Sequence, residues 1–149
     1  MTNNRTYIDC YAMVGKKGPK DVETQYETEA LLEEMEWCGI QGVLIAHSTA
    51  KEYDPVYGNK MLLRELAKSP RLFGVWTVMP HHTHEFPEPK DVVKEMTDNG
   101  IRVAKMHPRA HRYPFTVDFC GDLLREFERN EILLMVEGGH CYNLDIFEP

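Results

Sequence analysis

The sequence predicts an α/β fold built from parallel (β/α) units, on three observations. Short apolar runs rich in β-favouring residues recur roughly every 30 residues along the chain. Between them lie segments whose apolar residues fall at helical spacing. All seven histidines follow the ends of the second to fifth apolar runs, where ligands bind in a parallel α/β fold. Two architectures satisfy this rhythm of right-handed crossovers. One is part of a (β/α)8 barrel, which in full takes ~250 residues. The other is an open doubly wound sheet. The favoured reading of the 149-residue chain is a single partial (β/α)-barrel domain over 1–149, with about five strands and four helices. It is either a truncated chain or a half-barrel that pairs with another copy, because a bare parallel edge invites association.

Thr6 to Val14 reads as the first strand, with Tyr7, Ile8, Cys10 and Tyr11 as its β-favouring residues. Gly18-Pro19 marks the loop after it. Thr28 to Cys38 reads as a helix with Leu31, Leu32, Met35 and Cys38 inward, closed by a left-handed Gly39. Ile40 to Ala46 is the second strand, and its VLIA run looks buried on both faces. Lys51 to Pro55 reads as loop, and Asn59 to Lys68 as a helix with Met61, Leu62 and Leu66 inward. Leu72 to Met79 is the third strand, ended by Pro80. Pro89 suits the first turn of the next helix, which Gly100 closes. Ile101 to Met106 is the fourth strand. A helix from Thr116 to Arg129 follows, with Thr116 as N-cap and Asn130 as a left-handed end. Ile132 to Val136 is the fifth strand.

Composition narrows the function. A net charge of −7 lacks the basic face that nucleic acid requires. No apolar run approaches the ~20 residues of a membrane span, and the N-terminus lacks a signal-peptide pattern. Cys10, Cys38, Cys120 and Cys141 have no metal-type spacing, which predicts a reduced cytoplasmic protein with buried free thiols. The expected partners are a small-molecule substrate and further copies of the chain, without nucleic acid or membrane.

The chemistry centres on Ile101 to His111, IRVAKMHPRAH. Lys105 inside a buried strand needs a partner or a task, because an unpaired buried charge is costly. His107, Arg109 and His111 follow it, and Pro108 stops the ladder. Glu137 ends the neighbouring strand, so it and Lys105 form either a catalytic pair or a structural one. Gly138-Gly139 offers backbone N–H groups to an anion but lacks the spacing of a dinucleotide loop. His47 and His140 also lie at strand ends. Three histidines among His81, His82 and His84 match a divalent-metal loop, or an adventitious one. Asp9 is either a ligand or base near the first strand's end or an anchor for the loops. Tyr53 and Tyr57 read as packing residues. The bland alternative to a functional face is that loops are polar because they are exposed.

Four stretches, IDCYAMVG, MEWCGIQGVLIAHS, NGIRVAKMHPR and NEILLMVEGG, resemble the amidohydrolase superfamily, in its amidohydrolase 2 group of barrel hydrolases and decarboxylases. The resemblance spans essentially the whole chain and about five of the eight strands of that fold. It implies a hydrolase or decarboxylase acting on a small carboxylated or cyclic substrate. It also marks departures. Where the family opens with Asp-x-His-x-His, whose histidines bind metal, this chain has Tyr11 and Met13. Where the family's fifth strand ends in a metal-binding histidine, it has Glu137, with His140 close by. Lys105 falls where some relatives carry a metal-bridging carboxylated lysine, although this subgroup generally does not. The expectation is therefore a degraded metal site. The cofactor stays open between a divalent metal (Zn, Mn or Fe) and none. His107, His140 and His82 are the candidate metal ligands. Glu137, Lys105 and His107 are the candidate catalytic residues, with Glu137 as base and the other two stabilising the anion. Asp9, Tyr11, His47, Arg109 and His140 are the candidate substrate contacts. The alternative is an inactive domain that binds a small anion or completes a barrel in an oligomer.

Overall fold

The protein is described by a computed structural model covering residues 6–18, 25–82 and 84–138. Five strands and five helices follow in the order β1 (Tyr7–Val14), α1 (Thr28–Cys38), β2 (Ile40–His47), α2 (Ser48–Glu52), α3 (Pro55–Leu66), β3 (Leu72–Val78), α4 (Pro89–Asp98), β4 (Val103–Met106), α5 (Val117–Arg129) and β5 (Leu133–Val136). Every strand pair is parallel, and the sheet order is β1-β2-β3-β4-β5. This sequential order is that of a partial (β/α) barrel. A doubly wound sheet reverses its order at a switch point, and the described strands contain no reversal. The chain divides into two compact units, Met1–Gly74 and Val75–Pro149. The division falls inside β3, whose first residues pair with β2 and whose last four pair with β4.

In the first unit, Val43 and Ile45 of β2 are fully buried, as are Met35 of α1 and Leu62 of α3. Burial of each such side chain stabilises the fold by ~1.5–3 kcal/mol. Gly39 ends α1 at φ 70°, and its N–H donates to the Glu36 and Met35 carbonyls. Two expectations are corrected here. The helix placed at Asn59 starts at Pro55, because Asp54 caps it through Oδ1 to the Tyr57 N–H at 2.8 Å and Pro55 takes the first turn. The stretch read as loop begins inside the short α2, which makes five helices rather than four among the described residues. Cys10 and Cys38 are exposed, and only Cys120 of the described thiols is buried as expected. Tyr53 and Tyr57 are 87% and 58% exposed and pack little.

In the second unit, Trp76 and Val78 of β3, Ala104 and Met106 of β4, Val92, Val93 and Met96 of α4, and Cys120, Leu123 and Phe127 of α5 are buried. Their helical positions recur at i, i+3, i+4 and i+7, one apolar stripe per helix. Ile101 and Ile132 do not open strands. Their N–H groups bond back to the Met96 and Phe127 carbonyls and so finish the preceding helices. The left-handed residue after α5 is Glu131, at φ 54°, and not Asn130, whose φ is −108°. Among the described residues, no helix is long and apolar enough to cross a membrane.

Candidate functional site

The second unit brings several chemically able side chains together at the ends of β4 and β5. Thr77, Lys105 and Met135 stand in register across β3, β4 and β5. Partners in a parallel ladder share a face, and side chains alternate along each strand. Two residues further on, His107 and Glu137 continue that face. Ala104 and Met106 point the other way, into the core. The ladder runs one bond past β5, with the Glu137 N–H donating to the Met106 carbonyl at 3.0 Å. That bond sets Glu137 beside His107.

His107 is 1% exposed. Its Nδ1 faces Glu137 Oε2 at 3.1 Å, and an ionised carboxylate only accepts, so Nδ1 carries the hydrogen. Nε2 is then the basic nitrogen, and it too is buried. The next turn folds back against this ring. The His111 N–H donates to the His107 carbonyl at 2.9 Å, and the Tyr113 N–H to the Pro108 carbonyl at 3.1 Å. The His111 ring packs edge-on against His107 at 5.8 Å, and Tyr113 against His111 at 6.5 Å. Arg112, at φ 55°, ends the turn in the left-handed region. Arg109 is exposed on this turn. His111 and Tyr113 were not among the candidate site residues. The i, i+4 spacing of His107 and His111 was the available signal, since it puts both rings on one side of a helical turn.

The His81 and His82 rings after β3 lie 5.1 Å apart but take separate partners. His81 Nε2 faces Glu88 Oε2 at 3.3 Å. His82 Nε2–H donates to the Phe119 carbonyl at 2.8 Å, and its ring meets the Phe119 ring edge-on. Among the described residues, no three His, Cys, Asp or Glu side chains gather into a group able to hold a metal. His140 and Gly139 lie outside the described residues.

The first unit places the other candidates. Asp9 is the third residue of β1, well before its end, at a register shift between Asp9 and Ala12. Its Oδ1 accepts from the Tyr11 N–H at 3.0 Å, which ties down the irregularity. Tyr11 is half-buried. His47, 4% exposed, ends β2 on the same side as Val43 and Ile45. Its Nδ1 accepts from the Thr49 N–H at 3.2 Å and so caps α2. Burial pushes its pKa below 6.5, although the negative charge of Glu65 acts the other way. Burial also raises the Cys120 thiol to about 11, which leaves it inert.

No family model and no curated protein matches the chain. Among solved structures it is similar to a probable 2-pyrone-4,6-dicarboxylic acid hydrolase from Acinetobacter baumannii with citric acid bound, at a TM-score of 0.61 and 16% identity. The alignment covers 90% of this chain and 50% of that one, so the chain spans about half the length of that structure. At this identity the likeness is one of fold.

Proposed function

We propose that this chain is an amidohydrolase-like (β/α)-barrel segment whose acid/base site is built on His107, for hydrolysis of a small carboxylated or cyclic substrate. One observation carries the reading: a buried histidine is held by a carboxylate from the neighbouring strand end, at 3.1 Å, on the sheet face that also bears Lys105. The likeness of fold to a hydrolase acting on a cyclic dicarboxylate supports it.

The roles expected from sequence are exchanged. Glu137, bonded to Nδ1, fixes the tautomer of His107 and stabilises its imidazolium. His107 Nε2 takes a proton from the attacking water and returns it to the leaving group. Lys105, two residues earlier on the same face, offsets a substrate carboxylate or the developing oxyanion. The turn 108–112 has to swing away for substrate to reach Nε2. The donors do not fit the metal centre that the resemblance implies. Tyr11 and Met13 replace its strand-one histidines, and Glu137, in place of its strand-five histidine, is bonded to His107.

The test is hydrolysis of 2-pyrone-4,6-dicarboxylate and a panel of lactones and cyclic amides by the full chain, followed by ultraviolet absorbance. Glu137→Gln and His107→Gln are each expected to lower kcat by about 10²–10⁴-fold. Lys105→Met is expected to act mainly on KM. Turnover unchanged in Glu137→Gln would refute the acid/base pair. Lys105-dependent carboxylate binding without turnover of any compound would make the protein a small-anion-binding module instead.

A further inference from the structure

The first unit contains a cleft of about 300 Å³ that the proposed chemistry does not use, between the end of β2, the start of α1 and the last turns of α3. Its lining is of two kinds. His47 and Lys16 are among the lining residues. His47 is 4% exposed, and its Nδ1 is occupied as acceptor from the Thr49 N–H. The hydrogen therefore sits on Nε2, on the ring edge that abuts Gly15. A Cβ at Gly15 would lie 2.6 Å from Nε2, so only glycine leaves that edge room. Among the described residues, Nε2–H has no acceptor. The neighbouring loop is held open around it, as Ser48 Oγ–H donates to the Lys16 carbonyl at 2.9 Å and the Gly15 N–H to the Tyr26 carbonyl at 2.7 Å.

The rest of the charged lining is mostly acidic. Thr28 Oγ1–H donates to Glu65 Oε2 at 2.5 Å, and Lys68 Nζ sits 2.6 Å from the same oxygen. Lys68 also spans to Glu29 at 3.0 Å. Glu65 Oε1 is left over, and Glu27 lies nearby on the rim. Glu27, Glu29 and Glu65 set three carboxylates against the two ammonium groups of Lys16 and Lys68, which leaves an excess of negative charge.

These two demands select a ligand. A protonated amine cannot accept from the Nε2–H. A plain carboxylate would enter a cleft that is already negative. We propose that this cleft binds a zwitterionic α-amino acid, with its carboxylate on His47 Nε2–H and Lys16 and its ammonium on Glu65 Oε1 and Glu27. A volume of about 300 Å³ accommodates an α-amino acid together with a side chain.

Isothermal titration of the full chain with L-alanine, L-lactate and ethylamine tests the proposal. Lactate replaces the ammonium by a hydroxyl, and ethylamine lacks the carboxylate. Alanine is expected to bind with a Kd of the order of 1 mM, and the other two at least about tenfold more weakly. His47→Asn keeps the α2 cap, because the Asn carbonyl accepts from the Thr49 N–H, but removes the donor to the cleft. Glu65→Gln removes the ammonium anchor. Each variant is expected to weaken alanine binding by about tenfold or more. Lactate or ethylamine binding as tightly as alanine, no heat from alanine at about 10 mM, or undiminished binding by both variants would overturn the proposal. None of these outcomes depends on activity at His107.

Discussion

Gly58 and Gly121 are both buried inside helices, yet alanine is expected to act in opposite directions at the two positions. A methyl at Gly58 of α3 would lie 2.1 Å from the backbone nitrogen of Ala50 in α2, 2.4 Å from its Cα and 2.6 Å from its Cβ. No rotamer relieves a clash with backbone, so α2 has to move off α3 by roughly 1 Å or more. Overpacking of this kind costs ~3 kcal/mol, set against ~1 kcal/mol gained in helix propensity. The net loss is ~2 kcal/mol, a fall in Tm of about 4–8 °C for a chain of this size. A methyl at Gly121 of α5 would meet only Val117 Cγ1 at 3.3 Å and Arg125 Nη1 at 3.4 Å, both on side chains that can yield. There the propensity gain is kept, and Gly121→Ala should raise stability by ~0.5 kcal/mol. Urea denaturation of the two variants beside the parent measures both signs. A Gly58→Ala variant as stable as Gly121→Ala would refute the α2–α3 approach on which the reasoning rests.

Four further outcomes follow from named contacts. Asp54→Ala, which frees the Tyr57 N–H at the start of α3, should cost ~1 kcal/mol in the same urea experiment. Arg71 donates to the Ile40 and Gln41 carbonyls and pairs with Glu36 at 2.6 Å, so Arg71→Met should cost ~1–2 kcal/mol, most of it from the two carbonyls. Burial holds the folded-state pKa of His47 below 6.5, so between the folded and unfolded values the unfolded chain binds the extra proton. That contribution to stability is complete above about pH 6.5 and is lost as pH falls through the folded value; thermal midpoints across this range should fall more steeply for the parent than for His47→Asn. Cys120, buried and raised to about 11, should resist a thiol reagent in the native protein while Cys10 and Cys38 react, as peptide mapping before and after denaturation would show.

The parallel α/β fold was legible because its signals are local and repeated. Each strand is a short apolar run, and Gly39 and Gly100 mark helix ends that need φ near 70°. Helix starts were harder to read. Asp54-Pro55 is a cap followed by a first-turn proline, yet the apolar stripe of α3 begins only later, so periodicity alone placed the start at Asn59. α2 has no stripe at all, since five residues cannot form one. Its cap is His47, a residue type that propensity does not associate with that position. Asn130 lost its expected role to Glu131 because tertiary context, rather than residue preference, decides where the chain turns after α5.

The candidate site was legible as a neighbourhood but not as an arrangement. Counting strands put His107 and Glu137 at adjacent ends, and alternation put Lys105 on their face. Sequence could not show that the Glu137 carboxylate lies against Nδ1, the contact on which the proposed role of His107 as base rests. A carboxylate already accepting from an imidazole N–H has part of its basicity committed, whereas the imidazole it holds is made more basic at its far nitrogen. Nor could sequence show that the turn 108–112 folds back against the His107 ring, because only the folded turn brings the His107–His111–Tyr113 stack together. If that stack is the gate, Tyr113→Ala should leave the His107–Glu137 contact intact and yet raise access to Nε2. Ethoxycarbonylation of His107 by diethyl pyrocarbonate should then quicken by about tenfold or more, a rate set by how often the turn opens. An unchanged rate would mean that the turn does not control access and that substrate has another way in.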